Sequence, residues 1–203
     1  MAEAKILEFF KQNDEIMFGL LSRLSALPSF AAIPKKKRLG RLMRTIVGQQ
    51  LSVKAAATIW ARVEKLVGKN ISGTSFDDIS DEQLREAGLS YQKIGYIRSI
   101  IKSLKDGDVS LDNLDEMSDE QATSELTKLK GIGVWSAEMF LMSALGRTDI
   151  FSTGDLGLVT AVDRHYGCDR KDIATIQQIA QTWAPYRSYA SIALWRSLDN
   201  EPN

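Results

Sequence analysis

Apolar residues recur along most of this chain with the period of an α-helix. The first segment has one apolar face, because its apolar residues return every three or four positions. A second run with the same period extends from Leu39 to Val67 and closes at Gly68, and Pro28 and Pro34 bracket a break before it. No convincing alternating strand pattern appears, so the pattern predicts an all-α fold. The apolar face of the first segment comprises Ile6, Phe9, Phe10, Ile16, Met17, Leu20, Leu21 and Leu24.

Two further helix starts are indicated by capping boxes. Ser80 is followed three residues later by Gln83, and Ser118 is followed in the same way by Gln121. In this motif the hydroxyl and the amide side chain each satisfy a backbone N–H group at the helix start. The sequence therefore predicts that helices begin before Leu84 and near Ala122.

The charges balance over the whole chain but not along it. The 203 residues include 26 Lys+Arg and 26 Asp+Glu, and this balance alone argues against a general polyanion binder. Residues 31–69, however, carry ten basic residues and one acidic residue, whereas residues 70–128 carry six basic and 13 acidic residues. The cluster at residues 35–38, followed by Arg41 and Arg44, fits either phosphate contacts or a solvated helix start. Charge alone leaves both interpretations open.

The composition excludes several kinds of site. A single cysteine, Cys168, cannot form a disulfide framework, a cysteine zinc site or a four-cysteine iron–sulfur cluster. His165 is the only histidine, and with Cys168 it provides too few ligands for a metal site, so both residues are interpreted as structural. No apolar run approaches the roughly 18 residues of a membrane span. The N-terminus does not resemble a secretory signal, so we expect a cytoplasmic or nucleoid location, or a nuclear one in a eukaryote.

The stretch at residues 129–137 reads Leu-Lys-Gly-Ile-Gly-Val-Trp-Ser-Ala and lies between two predicted helices. Gly131 and Gly133 permit a tight hairpin with positive φ and without obstruction by side chains. The N–H groups of such a hairpin, with the positive end of the helix that follows, can bind one DNA phosphate. The alternative is an ordinary glycine-rich turn.

An aspartate follows one helix later, in the loop Asp-Ile-Phe-Ser-Thr-Gly-Asp-Leu at residues 149–156. Asp155 stands after Gly154 and before an apolar run. Taken alone, Asp155 is more typical of an N-cap for a helix that begins at Leu156. Together with the hairpin, it becomes a candidate catalytic carboxylate.

Four stretches together resemble the helix–hairpin–helix DNA glycosylase superfamily, and most closely its 3-methyladenine DNA glycosylase II branch. They are residues 46–56, residues 88–93, the hairpin with its Asp155 loop, and residues 183–190. The resemblance implies two helical lobes with an active-site cleft between them, without the extra N-terminal sheet domain of some bacterial members. One lobe is expected to span residues 36–143, with the hairpin at about 121–145. The other is expected to comprise residues 1–35 and 144–203.

The resemblance also implies roles for residues at the DNA. Gln50 is expected to fill the gap left by a flipped nucleotide, the alternative being a helix-capping amide. Asp155 is expected to stabilise positive charge on the sugar, to orient or activate the attacking water, or to do both. DNA contacts are expected from Gln50, Leu51, Ser52, Gly131, Gly133, Val134 and Ser136.

An aromatic pocket is implied for the base. Trp135 and Trp195 match pocket positions of the family, Phe140 and Tyr189 match more loosely, and Met139 stands where some relatives have an aromatic residue. Such a pocket suits a cationic base through stacking and cation–π attraction. The alternative is that the aromatic residues belong to the core, which is the interpretation preferred for Trp60 and Trp183.

Trp135 also stands where strand-cleaving relatives carry a nucleophilic lysine, which implies a glycosylase without lyase activity. The implied activity is release of alkylated purines (3-methyladenine, 7-methylguanine and, as an extension, etheno-adenine) from double-stranded DNA, by a monomer, in base excision repair. No cofactor is required, although the backbone carbonyls of Thr127, Leu129 and Ile132 are expected to bind Na⁺ or K⁺. Two alternatives stay open: a non-catalytic DNA-binding module and a glycosylase for oxidised or mismatched bases.

Overall fold

The computed structural model describes residues 2–199 and contains eleven α-helices and no β-strand within that range, as the sequence pattern predicts. Two short 3₁₀ segments, Lys35–Lys37 and Asn113–Glu116, accompany the helices. None of the described helices is long and apolar enough to cross a membrane. The helices are α1 (Ala2–Asn13), α2 (Glu15–Ser22), α3 (Arg38–Gly48), α4 (Val53–Val67), α5 (Asp81–Glu86), α6 (Tyr91–Asp106), α7 (Asp119–Thr127), α8 (Val134–Ala144), α9 (Leu156–Tyr166), α10 (Ile173–Gln181) and α11 (Arg187–Asp199).

The chain forms two compact units. The terminal unit consists of residues 1–31 and 146–203, and it contains α1, α2 and α9–α11. The central unit consists of residues 32–145 and contains α3–α8. The hairpin motif therefore belongs to the central unit, whereas Asp155 belongs to the terminal unit.

Asp14 explains why the first apolar segment is two helices rather than one. Its carboxylate caps α2 by accepting a hydrogen bond from Met17 N at 2.8 Å, so the chain bends between α1 and α2. The second carboxylate oxygen accepts hydrogen bonds from Tyr166 Oη and Trp183 Nε1, both at 2.7 Å. Burial, followed by the bond to Asp14, raises the pKa of Tyr166 well above its usual value. Asp14 thus joins three distant parts of the terminal unit, and Trp183 is a core residue, as expected.

Both predicted capping boxes form in the central unit. Ser80 and Gln83 exchange hydrogen bonds at the start of α5, and Ser118 and Gln121 do the same at the start of α7. These motifs depend only on residues three positions apart, so the sequence pattern is sufficient to locate both helix starts.

A buried arginine connects the start of α3 to the segment before α7. Only 2% of Arg38 is exposed, and its guanidinium donates to Leu111 O at 2.7 Å and to both carboxylate oxygens of Asp115 at 2.6 and 2.7 Å. Lys35 lies beside it, donating to Asp112 O at 2.6 Å and pairing with Asp115 at 3.8 Å. These two cations of the basic cluster therefore have structural partners within the central unit.

Candidate nucleic-acid interface and catalytic carboxylate

The turn between α3 and α4 presents the residue predicted to fill a gap in DNA. Gln50 is exposed and has a φ of +57°, a left-handed conformation that is uncommon for a residue other than glycine. Leu51 follows with 39% of its surface exposed, and Ser52 caps α4 by accepting a hydrogen bond from Ala55 N at 3.3 Å. Backbone strain of this kind persists only where surrounding contacts hold it, and it often marks functional sites.

Lys93, on α6, supplies those contacts. Its ammonium group donates to Val47 O at 2.8 Å and to Gln49 O at 2.7 Å, at the point where α3 ends. Partial burial lowers the pKa of Lys93. Gln49 then donates from its side chain to Gly131 O at 2.8 Å, which ties the turn to the hairpin. The structural amide at this turn is thus that of Gln49, and the side chain of Gln50 stays on the surface.

Replacing Lys93 with methionine is expected to lower the free energy of unfolding by about 2 kcal/mol, because two carbonyl groups lose a charged donor. Lys102→Met is a matched control on the same helix, where the lysine is exposed and pairs with Asp106. We expect no measurable change in stability for this control. Chemical denaturation measures both variants, and hydrogen exchange at residues 49–51 should accelerate in Lys93→Met alone. Equal stability of the two variants would contradict the role assigned to Lys93.

The hairpin requires glycine at residue 131 for two reasons. Gly131 has a φ of +90°, and a Cβ atom there would lie 2.5 Å from Cγ of Tyr96. Gly133 differs from the expectation of positive φ, because it has a φ of −91° with extended ψ. A Cβ atom at Gly133 would meet no heavy atom within 4 Å. Its lack of a side chain therefore leaves the N-terminus of α8 open rather than permitting a special backbone conformation.

The start of α8 lacks a capping side chain on its N-cap residue. Gly133 is the N-cap and provides no side-chain acceptor, and the first backbone bond of the helix runs from Ala137 N to Gly133 O at 3.0 Å. In an α-helix the backbone N–H groups of the first turn have no backbone acceptor in the preceding turn, so they point outward at the helix start. Val134 is 58% exposed at this end. This arrangement suits an anion such as a phosphate.

A cavity of about 540 Å³ lies beside this turn, within the central unit. It brings together five residues predicted for DNA and base contacts from two separate stretches of sequence. Phe140, by contrast, is fully buried in the central unit and packs in its core, so it does not line this cavity. The five are Gln50, Leu51, Trp135, Ser136 and Met139.

The terminal unit holds the predicted catalytic carboxylate in a defined orientation. Asp155 caps α9, and its Oδ1 atom accepts hydrogen bonds from Leu158 N at 2.9 Å and from Trp195 Nε1 at 3.0 Å. A Cβ atom at residue 157 would lie 3.1 Å from Asp155 Oδ1 and 3.3 Å from Trp195 Cδ1, so Gly157 allows this close approach. The N-cap interpretation is therefore correct, and it is compatible with a catalytic role.

Trp195 contacts the predicted catalytic carboxylate, which the sequence did not indicate. Its indole N–H group is bound to Asp155, so the residue orients the carboxylate.

Tyr189 lies in an aromatic group with Phe30 and Tyr186, at ring-centroid distances of 4.7 and 6.0 Å, and burial raises its pKa. The side chains of Tyr189 and Trp195 are half-buried in the terminal unit.

Two contacts of the candidate site carried no recognisable signal in the sequence. Lys93 belongs to a stretch that supported the family resemblance, but its partners lie 44 and 46 residues away. The bond between Trp195 and Asp155 spans 40 residues. His165 Nε2 lies 2.9 Å from Ser197 Oγ. Within residues 2–199, no group of three or more His, Cys, Asp or Glu side chains is placed to hold a metal ion.

Comparison with known protein families gives a match to most of this chain. Residues 43–185 match the model of the HhH-GPD superfamily of base excision DNA repair proteins. This match covers more than half of the chain, and the protein therefore belongs to the HhH-GPD superfamily.

Individual relatives agree with this assignment. A DNA-3-methyladenine glycosidase from Bacillus halodurans has a similar structure, with a TM-score of 0.80 and 34% identity over 98% of this chain and 90% of its own. A DNA-3-methyladenine glycosylase from Saccharomyces cerevisiae is 30% identical over 77% of this chain and 65% of its own length. A Bacillus subtilis relative is 32% identical over 78% of this chain and 58% of its own length. The chain thus spans about three fifths of these two curated relatives.

Proposed function

We propose that this protein is a monofunctional DNA glycosylase that removes alkylated purines from double-stranded DNA. The observation that carries the proposal is the Asp155 carboxylate, oriented by the N–H groups of Leu158 and Trp195. The strained Gln50 turn and the open N-terminus of α8 support it, because a glycosylase must hold a phosphate and stabilise a distorted duplex. The family match and the names of the relatives supply the reaction class.

The reaction begins with rotation of the damaged nucleotide out of the stack, at a cost of a few kcal/mol. Gln50 enters the gap, and Leu51 and Ser52 lie close to the minor groove. Backbone N–H groups of the hairpin, from Gly133 to Ser136, hold a nearby phosphate. Because Lys93 and Gln49 hold the turn before binding, little conformational entropy is lost when Gln50 enters the duplex.

Bond cleavage then requires stabilisation of charge on the sugar. The N-glycosidic bond breaks with its electron pair going to the cationic base, which leaves as a neutral molecule. Positive charge develops at the sugar, and the Asp155 carboxylate stabilises it electrostatically. Water adds to the sugar carbon and loses a proton, which Asp155 is placed to accept directly or through solvent. The products are the free base and an abasic site.

The proposed preference for alkylated purines follows from the charge of the base. Trp135 is 41% exposed and lines the central-unit cavity with Met139. An indole face attracts a cationic ring by roughly 0.5–2 kcal/mol, which favours 3-methyladenine and 7-methylguanine over neutral bases. Trp135 also occupies the hairpin position of the lyase lysine, so no Schiff base forms and the DNA strand stays intact.

A comparison of base release from three duplexes tests this proposal. Methylated, oxidised and uracil-containing DNA are incubated with the protein, and the free bases are separated by chromatography. We expect release from methylated DNA alone, with no covalent adduct trapped by borohydride. Release only from oxidised or uracil-containing DNA would change the substrate class, a trapped adduct would refute the absence of lyase activity, and binding without release would indicate a non-catalytic module.

We further propose that the hairpin carbonyls of Thr127, Leu129 and Ile132 bind Na⁺ or K⁺. Thr127 is the last residue of α7, and carbonyl groups at a helix C-terminus have no partner within the helix and attract cations. Leu129 O accepts one bond from Ile132 N at 3.0 Å and retains a second lone pair. The ion would stabilise the hairpin and add positive charge near the bound phosphate. The protein is proposed to act as a monomer in the compartment that holds the DNA.

A further inference from the structure

A second cavity of the central unit is surrounded by positive charge. It has a volume of about 380 Å³ and lies against α3, α4 and the segment at residues 69–71. Glu64 is the one acidic residue among its lining side chains, and the indole of Trp60 forms part of the wall. We call this cavity the basic groove. Its cations are Lys36, Lys37, Arg41, Arg44 and Lys69.

Within residues 2–199, the cations of the basic groove differ from their neighbours in having no ion-pair partner. Lys35 and Arg38 are bound to Asp115 and to backbone carbonyls. The five cations of the groove form no salt bridge with any part of the chain that the structure describes. Of the six cations within residues 35–44, two therefore have structural partners and four line a common cavity.

Five like charges around one small cavity repel one another, and a bound polyanion relieves this repulsion. We propose that the basic groove binds the sugar–phosphate backbone of DNA beyond the flipped nucleotide, as a second contact region besides the hairpin. The proposal rests on the proposed function in requiring a DNA substrate, but not in requiring any particular damaged base.

The spacing of the cations along α3 is the reason for choosing DNA over other anions. Arg41 and Arg44 are three residues apart and share one face of α3, and Lys37 is the N-cap residue at its start. This row rises by about 10 Å, roughly the axial length of three phosphates on one strand. Arg44 lines the basic groove and also the cavity that contains Gln50 and Trp135. A strand held at the turn can therefore continue along α3 into the basic groove.

The test measures binding of the full chain to duplexes that it cannot process, one undamaged and one with a tetrahydrofuran abasic analogue. In the double variant Lys37→Gln/Arg41→Gln, we expect the slope of log K against log salt to fall in magnitude by about two. Affinity should drop roughly 10- to 60-fold at about 0.1 M salt. Shortening the duplex to fewer than about five base pairs on one side of the analogue should remove the difference from wild type.

The matched control is Arg62→Gln/Lys65→Gln, which removes one arginine and one lysine from the exposed surface of α4. Neither residue lines the groove or the Gln50 cavity, so the salt slope and base release should match those of wild type. A second test variant, Lys36→Gln/Lys69→Gln, removes the other two lysines of the groove and should behave as the first does. Circular dichroism and thermal unfolding confirm that each variant is folded.

The outcomes separate this proposal from the proposed function. If both test variants keep the wild-type salt slope, the basic groove does not bind DNA. Its ligand would then be another anion, such as an acidic peptide. If the test variants lose affinity although wild-type protein releases no methylated base, the groove assignment stands and the glycosylase assignment fails. A wild-type chain that binds no duplex overturns both.

Discussion

Asp155→Asn is expected to slow base release from methylated DNA by at least about a thousandfold under single-turnover conditions. The reason is that a neutral amide can neither stabilise positive charge on the sugar nor accept a proton from water. Asparagine is as good an N-cap as aspartate, and its carbonyl oxygen can still accept bonds from Leu158 N and Trp195 Nε1. The fold and the affinity for DNA should therefore be unchanged.

Asp172→Asn provides the matched control for this experiment. Asp172 caps α10 in the same unit by accepting a bond from Thr175 N at 3.1 Å, so the same substitution alters the same kind of cap without touching Asp155. Base release should proceed at the wild-type rate in this variant. Release by Asp155→Asn at a rate close to that of Asp172→Asn would show that Asp155 is only a helix cap.

The second large effect is expected at the hairpin. Gly131→Ala should lower the free energy of unfolding by about 3 kcal/mol, because the new methyl group is forced against the ring of Tyr96 in a left-handed backbone conformation. The distorted hairpin should also bind a duplex at least tenfold more weakly. Chemical denaturation and fluorescence anisotropy measure the two effects separately.

Substitutions at two other glycines separate the steric effect of the Tyr96 ring from the conformational cost of a left-handed backbone. Gly107→Ala adds a methyl group at a φ of +80° with no heavy atom within 4 Å, so it should show only the conformational cost of about 1 kcal/mol. Gly133→Ala adds one in open space at a negative φ, so it should lower stability by less than about 1 kcal/mol, the cost of alanine as a helix N-cap, but weaken DNA binding by obstructing a phosphate. If Gly131→Ala is no less stable than Gly107→Ala, the contact with Tyr96 does not explain the requirement for glycine.

Features that depend on neighbouring residues could be predicted from the sequence. The apolar period indicated helices, and the capping boxes at Ser80 and Ser118 located two of their starts. Asp155 was recognised as an N-cap for the same reason, since its acceptor role involves a backbone group three residues away. The first segment was less predictable, because the bend at Asp14 is stabilised partly by Tyr166 and Trp183, more than 150 residues further along the chain.

The candidate site was predictable only in part. The sequence, through the family resemblance, predicted which residues form the candidate site, but not the contacts that hold them. The conformation of Gln50 depends on Lys93, and the orientation of Asp155 depends on Trp195. Phe140, a looser candidate for the pocket than Trp135, is fully buried, since different faces of α8 differ in their packing.

The charge of the basic cluster follows from the sequence, but the partners of its cations do not. Local composition by itself established that residues 31–69 carry a large excess of positive charge within a chain of zero net charge, because this is a property of the residues and not of their contacts. Only the tertiary structure decided that Arg38 is neutralised by Asp115 while Lys37 and Arg41 line a cavity. The physical reason is that an ion pair forms between side chains that folding brings together. Arg38 and Asp115 are 77 residues apart, so no local sequence pattern predicts their contact.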